Sequence, residues 1–231
     1  MNPGKFITFE GIDGCGKSTQ IQLAQAYLVQ QGFQVLTTLE PGGTGIGLQI
    51  REILLNRKNH RLVQESEMLL YLADRIQHLK EIILPALEQG VLVLCDRFHD
   101  STVAYQGFGR GLDLNLIRSI EEKAIKPYAP FITFLLNINP QLAVERTEKK
   151  YPERNQMDRL EKESIDFFQR INQGYLKLAE DSPERFVCLD GSDSRENIHQ
   201  KIIENLTIHL KKLTHGKEIR LDEKRIFSKP S

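Results

Sequence analysis

The chain has 231 residues, 31 Lys+Arg against 31 Asp+Glu, and 40% hydrophobic residues. This length and apolar content fit one ordinary domain and exclude a disordered chain, and a formal net charge of zero argues against a general nucleic-acid coat. The three cysteines are far apart and form no C-x-x-C pair, which favours a reducing compartment. The apolar runs are shorter than the roughly 20 residues of a membrane helix. We therefore expect a soluble, cytoplasmic protein with no membrane partner.

Short apolar runs alternate with longer segments of helical period along the chain. Strand-like runs occupy residues 5–9, 33–39, 91–95, 131–137 and 185–190. Helical spacing predicts helices over 17–32, 64–89 with a bend at Pro85, 113–125, around 142–144, around 167–171, and 195–213. This alternation predicts an α/β fold, with a five-stranded parallel sheet and helices on both faces. The carboxyl ends of such strands meet at one edge, where ligands bind.

The turn after the first strand matches the pattern G-x-x-x-x-G-K-S/T. Glycines in this pattern let backbone N–H groups point at phosphate oxygens, and the following helix adds its positive dipole end. Lys17 can reach the β- and γ-phosphates, and the Ser18 hydroxyl can ligate Mg²⁺. The predicted nucleoside triphosphate contacts are Gly11, Ile12, Asp13, Gly14, Cys15, Gly16, Lys17, Ser18 and Thr19.

Asp96 follows the most apolar strand-like run. An aspartate that ends a strand often serves only as a turn residue, but beside a phosphate-binding turn it can hold Mg²⁺ as a Walker-B carboxylate does. The sequence therefore predicts Ser18 and Asp96 as the magnesium residues.

The residues around this site favour a kinase over a switch or a motor. No Asn-Lys pair is present to begin a guanine-reading N-K-x-D stretch. Asp96 is followed by Arg97, which is a poor base for activating water but a good phosphate clamp. Arginines close to predicted strand ends fit a second anionic substrate, and they are Arg51, Arg75, Arg97 and Arg110.

A charged segment, residues 145–163, follows the fourth predicted strand. It carries Arg146, Lys149, Lys150, Arg154 and Arg159 on what we expect to be a mobile loop between helices. A solvated helix face is the plainer interpretation of such a run. In a kinase, its position favours a lid over about 145–160 that covers the phosphates and excludes water.

With GIDGCGKST, EPGGTGIG, LLYLADR, CDRFHDSTVAYQGFGRG and DRLEKE in this order, the chain resembles the thymidylate kinases, which are P-loop nucleoside monophosphate kinases. The resemblance covers about residues 6–210. It implies the P-loop kinase fold, with a short lid, and transfer of phosphate from ATP to dTMP for dTTP synthesis. It also implies Mg²⁺ as cofactor, a cytoplasmic homodimer, and no nucleic-acid partner.

The resemblance also assigns eight residues to dTMP, and they are Asp13, Glu40, Arg51, Tyr71, Arg75, Arg97, Thr102 and Gln106. Tyr71 falls where an aromatic ring stacks on thymine, and Arg75 falls where the base is hydrogen-bonded. Arg51 and Arg97 resemble the clamps on the dTMP phosphate.

The other four dTMP residues have positions near the base edge or the sugar. Thr102 and Gln106 approach the base edge, and the Gln106 amide can match the donor and acceptor pattern of thymine. Asp13 and Glu40 resemble carboxylates near the sugar 3′-hydroxyl and the metal.

The catalytic cations implied by the resemblance are Lys17, Arg97 and one cation from the lid. Position 14 is Gly, where some family members carry an arginine, so the chain resembles the subgroup in which the lid supplies the last cation. The sequence does not choose among its candidates, which are Arg146, Lys149, Lys150 and Arg154. The loop 190–192 resembles the one that lies beside adenine.

Two alternatives and a tail complete the sequence-based predictions. The chain can be a related P-loop kinase that acts on another deoxynucleotide or on a deoxynucleoside, or a nucleotide-dependent binding protein without kinase chemistry. The kinase-like domain spans residues 1–213. Residues 214–231 form a basic tail, which we expect to be disordered.

Overall fold

The structure is a computed structural model, and it describes residues 4–151 and 157–211. Within these residues, five strands form one all-parallel sheet in the order β2-β3-β1-β4-β5. The strands are β1 (Phe6–Glu10), β2 (Val35–Leu39), β3 (Leu92–Asp96), β4 (Ile132–Asn137) and β5 (Phe186–Asp190). The predicted five-stranded parallel sheet is therefore confirmed, with strand ends that shift by one or two residues. The tail 214–231 and Arg154 lie outside the described residues.

The helices connect these strands in the order expected for a parallel sheet. They are α1 (Lys17–Gln30), α2 (Gly45–Leu55), α3 (Gln64–His78), α4 (Leu84–Glu88), α5 (His99–Thr102), α6 (Leu114–Ala124), α7 (Pro140–Lys150), α8 (Ile165–Asp181) and α9 (Arg195–Lys211).

Both faces of the sheet are covered, as the continuous apolar strands predicted. Alternate residues of one strand enter different core clusters: Ile7 and Phe9 belong to one, and Phe6 belongs to the other. The same alternation divides Leu94 from Val93 in β3. Side chains that alternate between two buried clusters place packed helices on both sides of the sheet.

Two helical features differ from the sequence-based expectation. The glycine-rich segment after β2 begins helix α2, which the sequence did not predict because Gly45 and Gly47 are weak helix formers. Thr44 starts this helix, since its side-chain oxygen accepts a hydrogen bond from the Gly47 N–H at 2.9 Å. Near Pro85, where we expected a bend or a division of the helix, the structure has a wider helical turn over Leu79–Ile83, and α4 begins directly after it.

The strand register gathers three segments at the carboxyl edge of the sheet. Phe9 pairs with Asp96, and the Arg97 N–H donates to the Phe9 carbonyl at 3.0 Å. The Glu40 N–H donates to the Asp96 carbonyl at 2.9 Å. The turns after β1, β2 and β3 therefore meet at one place.

Candidate active site

The turn between β1 and α1 has the backbone shape that its glycines predicted. Gly11, Gly14 and Gly16 have φ angles of +133°, +81° and +101°, a region that side chains with a Cβ rarely adopt. A Cβ on Gly14 would also lie 2.4 Å from the carbonyl oxygen of Ala143 in α7. Glycine is thus required here both by backbone conformation and by the close approach of α7.

Lys17 and Ser18 lie at the start of α1, directly after this turn. The Lys17 ammonium is buried and donates to the carbonyls of Gly11 and Ile12 at 3.0 and 3.2 Å. The Ser18 hydroxyl donates to Asp96 Oδ2 at 2.9 Å, so the two predicted magnesium residues are in contact. A hydroxyl and a carboxylate suit Mg²⁺, which takes few protein ligands and completes its shell with phosphate and water. These residues therefore fit the metal.

Arg97 is held in one orientation by five acceptors. Its Nη1 donates to the Gly11 carbonyl at 3.0 Å and also contacts the Tyr175 and Ser101 hydroxyls. Its Nη2 donates to Asp13 Oδ1 at 2.7 Å and to the Tyr105 hydroxyl at 2.9 Å. The guanidinium is therefore preorganised between the phosphate-binding turn and the neighbouring cavity.

The charge of Asp13 is stabilised by its neighbours. Its partial burial opposes ionisation, but the charges of Arg97 and Lys17 more than offset that penalty and hold the pKa of Asp13 well below its ordinary value. The Tyr105 hydroxyl donates to Asp13 Oδ2 at 3.0 Å. Asp13 is consequently an anion at neutral pH and orients both Arg97 and Tyr105.

A cavity lies beside this turn, and all eight residues that the resemblance assigned to dTMP line it. The described residues that line it are Asp13, Glu40, Pro41, Arg51, Leu55, Tyr71, Arg75, Arg97, Ser101, Thr102, Tyr105, Gln106, Asp158 and Leu160. Eight side chains from the segments after β1, β2 and β3 and from α2 and α3 thus face one space.

Arg75 is buried at this cavity and ion-paired. Its Nε donates to Glu40 Oε2 at 2.7 Å, and its Nη2 donates to the Phe98 carbonyl at 2.9 Å. Its Nη1 donates to the Thr102 hydroxyl. His78 Nδ1 lies 2.9 Å from the second oxygen of Glu40. Glu40 therefore orients Arg75 within the cavity wall.

Arg51, Tyr71 and Gln106 come from separate elements of the same wall. Arg51 Nη1 donates to the Pro41 carbonyl at 2.7 Å, so α2 brings this arginine to the turn after β2. Tyr71 is 9% exposed and lies on α3. Gln106 Nε2 donates to Glu67 Oε1 at 3.1 Å.

The expected lid is only partly a loop. Arg146, Lys149 and Lys150 lie in helix α7, so the prediction that they belong to a mobile loop is wrong. Asn139 caps this helix by accepting a hydrogen bond from the Gln141 N–H at 2.9 Å, and the helical period then continues to Lys150. Arg154 lies outside the described residues.

The lid cations have different surroundings within the described residues. Arg146 Nη1 donates to the Gly191 carbonyl at 2.9 Å, which joins α7 to the loop after β5. Lys149 and Lys150 are exposed, and Lys150 Nζ lies 4.8 Å from the centre of the Tyr151 ring. Arg159 is only partly exposed, and it donates to the Leu54 carbonyl and to Glu67.

Sequence reasoning missed several residues that shape the site. Cavity residues without a predicted role are Pro41, Leu55, Ser101, Tyr105, Asp158 and Leu160. Ser101 and Tyr105 stand in the motif that carried the resemblance, so that motif could have indicated them. Glu10 and Tyr175 gave no such signal. Glu10 is fully buried at the end of β1 and accepts from the Phe98 N–H at 2.7 Å.

The chain is similar to known proteins in sequence and in fold. The thymidylate kinase family model matches residues 9–202. A thymidylate kinase of Kosmotoga olearia is 44% identical over 91% of this chain and 99% of its own length. One of Halothermothrix orenii is 49% identical over 86% and 94% of the two chains. The crystal structure of thymidylate kinase from Ehrlichia chaffeensis superposes with a TM-score of 0.70, 35% identity, and coverage of 88% of this chain and 99% of the other. The resemblance expected from the motifs is confirmed.

In the part of the chain that the structure describes, the helices are too short or too polar to cross a membrane.

Proposed function

Because this chain belongs to the thymidylate kinase family, we propose that it transfers the γ-phosphoryl group of ATP to dTMP through the residues described above. The products are ADP and dTDP, which supplies dTTP synthesis. The family favours dTMP over the alternative of another deoxynucleotide or a deoxynucleoside.

One observation carries the residue assignments. The cavity lined by all eight expected dTMP residues includes Asp13 of the phosphate-binding turn and Arg97, which donates hydrogen bonds to that turn. An anionic substrate in the cavity would therefore lie beside the triphosphate. Such proximity turns transfer between two bound nucleotides into an effectively unimolecular step.

In the proposed arrangement, Tyr71 packs on thymine, Arg75, Thr102 and Gln106 face its polar edge, and Arg51 and Arg97 bind the dTMP phosphate. Most acceptors of Arg97 are neutral carbonyl or hydroxyl oxygens, and a phosphate oxygen can replace them with a gain in charge–charge attraction. Asp13 and Glu40 keep their arginines oriented. Arg97 is thus prepared for phosphate before dTMP binds.

The triphosphate is bound by the amides of Gly11–Thr19, with Lys17 on the β- and γ-phosphates. The phosphate oxygen of dTMP attacks in line, and the charge that spreads over the transferred group is stabilised by Lys17, Arg97 and one lid cation. The candidates for that cation are Arg146, Lys149, Lys150 and Arg154, and an alanine series with kcat as readout distinguishes them.

Ser18 and Asp96 would hold Mg²⁺, directly or through water. The ion neutralises charge on the β- and γ-phosphates when it is bound. Removal of divalent ions with EDTA should abolish turnover, and added Mg²⁺ should restore it.

A homodimer and a cytoplasmic location complete the proposal. Leu48 and Ile53 on α2 and Leu69 on α3 are 55%, 44% and 54% exposed, and exposed apolar surface of this kind supports a contact with a second copy. The unpaired cysteines suit a reducing compartment. Sedimentation of the wild type and Leu69→Glu tests the dimer, since the charge should shift the protein to monomer.

A coupled assay of ADP release tests the activity. Purified protein is offered ATP with dTMP, dUMP, dCMP, dGMP or thymidine. We expect release that depends on the monophosphate and is fastest with dTMP. ATP binding without such release would identify a binding protein, and preference for another acceptor would reassign the substrate.

A further inference from the structure

The orientation of the Gln106 side chain is determined by the carboxylate of Glu67. Gln106 lies in the irregular helical turn Val103–Gly109 and lines the cavity. Its Nε2 is 3.1 Å from Glu67 Oε1. An ionised carboxylate can only accept hydrogen bonds, so the amide must turn its N–H₂ group towards Glu67. The carbonyl oxygen Oε1 is then the amide atom left for the cavity.

Two arginines keep Glu67 ionised. Glu67 is 1% exposed, and Arg110 Nε donates to it at 3.1 Å while Arg159 donates from Nη2. Burial alone would raise the pKa of Glu67, but the hydrogen bonds and charge of Arg110, with those of its other partners, lower it below its ordinary value. The acceptor-only character of Glu67 therefore persists at neutral pH.

The cavity presents a fixed pattern of donors and acceptors as a result. Arg75, which also lines it, carries only donors. A donor from Arg75 and an acceptor from Gln106 match a base edge in which a carbonyl oxygen lies next to an N–H. Thymine and uracil have this edge at O4 and N3–H. Cytosine has the reverse, an amino group next to an acceptor nitrogen.

We propose that Glu67 is a positioning residue, which fixes the Gln106 carbonyl towards the base and so selects pyrimidines with an N3–H against cytosine. This inference rests on the proposed function, in which Arg75 and Gln106 face the base. Glu67 itself is not among the described residues that line the cavity. If it served only as the buried partner of Arg110 and Arg159, its loss would change stability without changing base selectivity.

The test is Glu67→Gln, because a glutamine at this position can offer Gln106 either an oxygen or a nitrogen. We expect the ratio of kcat/KM for dTMP to that for dCMP to fall about tenfold, as an unfavourable polar contact with cytosine is relieved. The ratio of dTMP to dUMP should stay at the wild-type value, since both bases present the same edge.

Glu163→Gln is the matched control. Glu163 accepts from Arg110 Nη1 at 2.6 Å, so this variant makes the same chemical change in the same ion-pair network. Within the described residues, Glu163 has no hydrogen bond with Gln106. It should keep the wild-type dTMP to dCMP ratio.

A wild-type ratio in Glu67→Gln, or an equal fall in Glu163→Gln, overturns the inference. If thermal unfolding shows that Glu67→Gln does not fold, Gln106→Leu is measured in its place. Its ratio of kcat/KM for dTMP to that for dCMP should fall in the same way, and a wild-type ratio in Gln106→Leu would overturn the inference. A wild-type enzyme that uses dTMP and dCMP equally well also overturns it. A wild-type protein that does not phosphorylate dTMP instead removes the proposed function, so the two failures are distinguishable.

Discussion

Arg97 Nη2 donates to Asp13 Oδ1 at 2.7 Å and thereby joins the turn after β3 to the phosphate-binding turn after β1. Arg97 has a φ of +73°, which costs a residue with a side chain about 1–3 kcal/mol. The Glu10 carboxylate compensates, since it accepts from the Phe98 N–H and the Ser101 hydroxyl, both at 2.7 Å. The strained turn places one guanidinium where both substrates are expected to carry phosphate.

Lys17→Met should lower kcat by on the order of 10²-fold or more, because one preorganised electrostatic partner of the transferred phosphoryl group is lost. The measurement is steady-state kinetics with ATP and dTMP. Lys123→Met, an exposed position on α6, is the control and should match the wild type. A near-wild-type rate for Lys17→Met would remove Lys17 from the mechanism.

Arg75→Ala should raise the KM for dTMP more than the KM for ATP, because Arg75 lines the cavity and has no hydrogen bond with the phosphate-binding turn in the described part of the chain. It should also lower the melting temperature, since Glu40 loses a buried ion pair. Arg75→Lys keeps the charge and should recover part of the stability. A larger effect on ATP would mean that the two nucleotide sites are assigned the wrong way round.

Gly11→Ala should raise the KM for ATP, because a Cβ there would lie 2.6 Å from the Leu136 carbonyl oxygen and would force the turn to move. Gly32→Ala is the control, because it introduces the backbone strain of a positive φ without a close contact of the new Cβ. Gly32 also has a positive φ, +85°, but a Cβ there meets nothing within 4 Å. The control should lose some stability and keep its KM for ATP. Equal values of KM in both variants would contradict the close approach.

The free energy of unfolding of Asp74→Asn should increase relative to that of the wild type as the pH rises. Burial and then the charge of Glu40 raise the pKa of Asp74 to about 6, against about 3.9 in the unfolded chain. Between these values the folded protein binds more protons than the unfolded one. The free energy of unfolding of the wild type therefore falls as the pH rises through this window, by up to about 3 kcal/mol from this group.

Asparagine does not titrate, so the free energy of unfolding of the variant lacks the fall that Asp74 causes in the wild type. Urea unfolding at about pH 4 and about pH 8 measures the difference. Asp166→Asn, at an exposed position in the first turn of α8, is the matched control for the same change of side chain. A difference between Asp74→Asn and the wild type that is the same at both pH values would refute the prediction.

Local patterns in the sequence were sufficient for the sheet and for the phosphate-binding turn. Continuous apolar runs predicted the strands, and glycine spacing predicted the turn from Gly11 to Ser18, because each of these patterns is formed by residues close in sequence. Local patterns did not predict two helices. The glycines of α2 are weak helix formers, so no helix was expected there, and the charged residues of α7 were expected to form a loop.

The contacts of the candidate site were decided by the tertiary structure. Arg97 and Asp13 are separated by 84 positions, and Gln106 and Glu67 by 39, so no periodicity could indicate that they touch. Motif resemblance named eight of the residues that line the cavity, but the buried partners Glu10, Glu67 and Tyr175 lie outside the motifs that carried it. Which acceptor faces which donor depends on how the parallel strands and their helices pack, and that packing brings distant side chains together at one edge of the sheet.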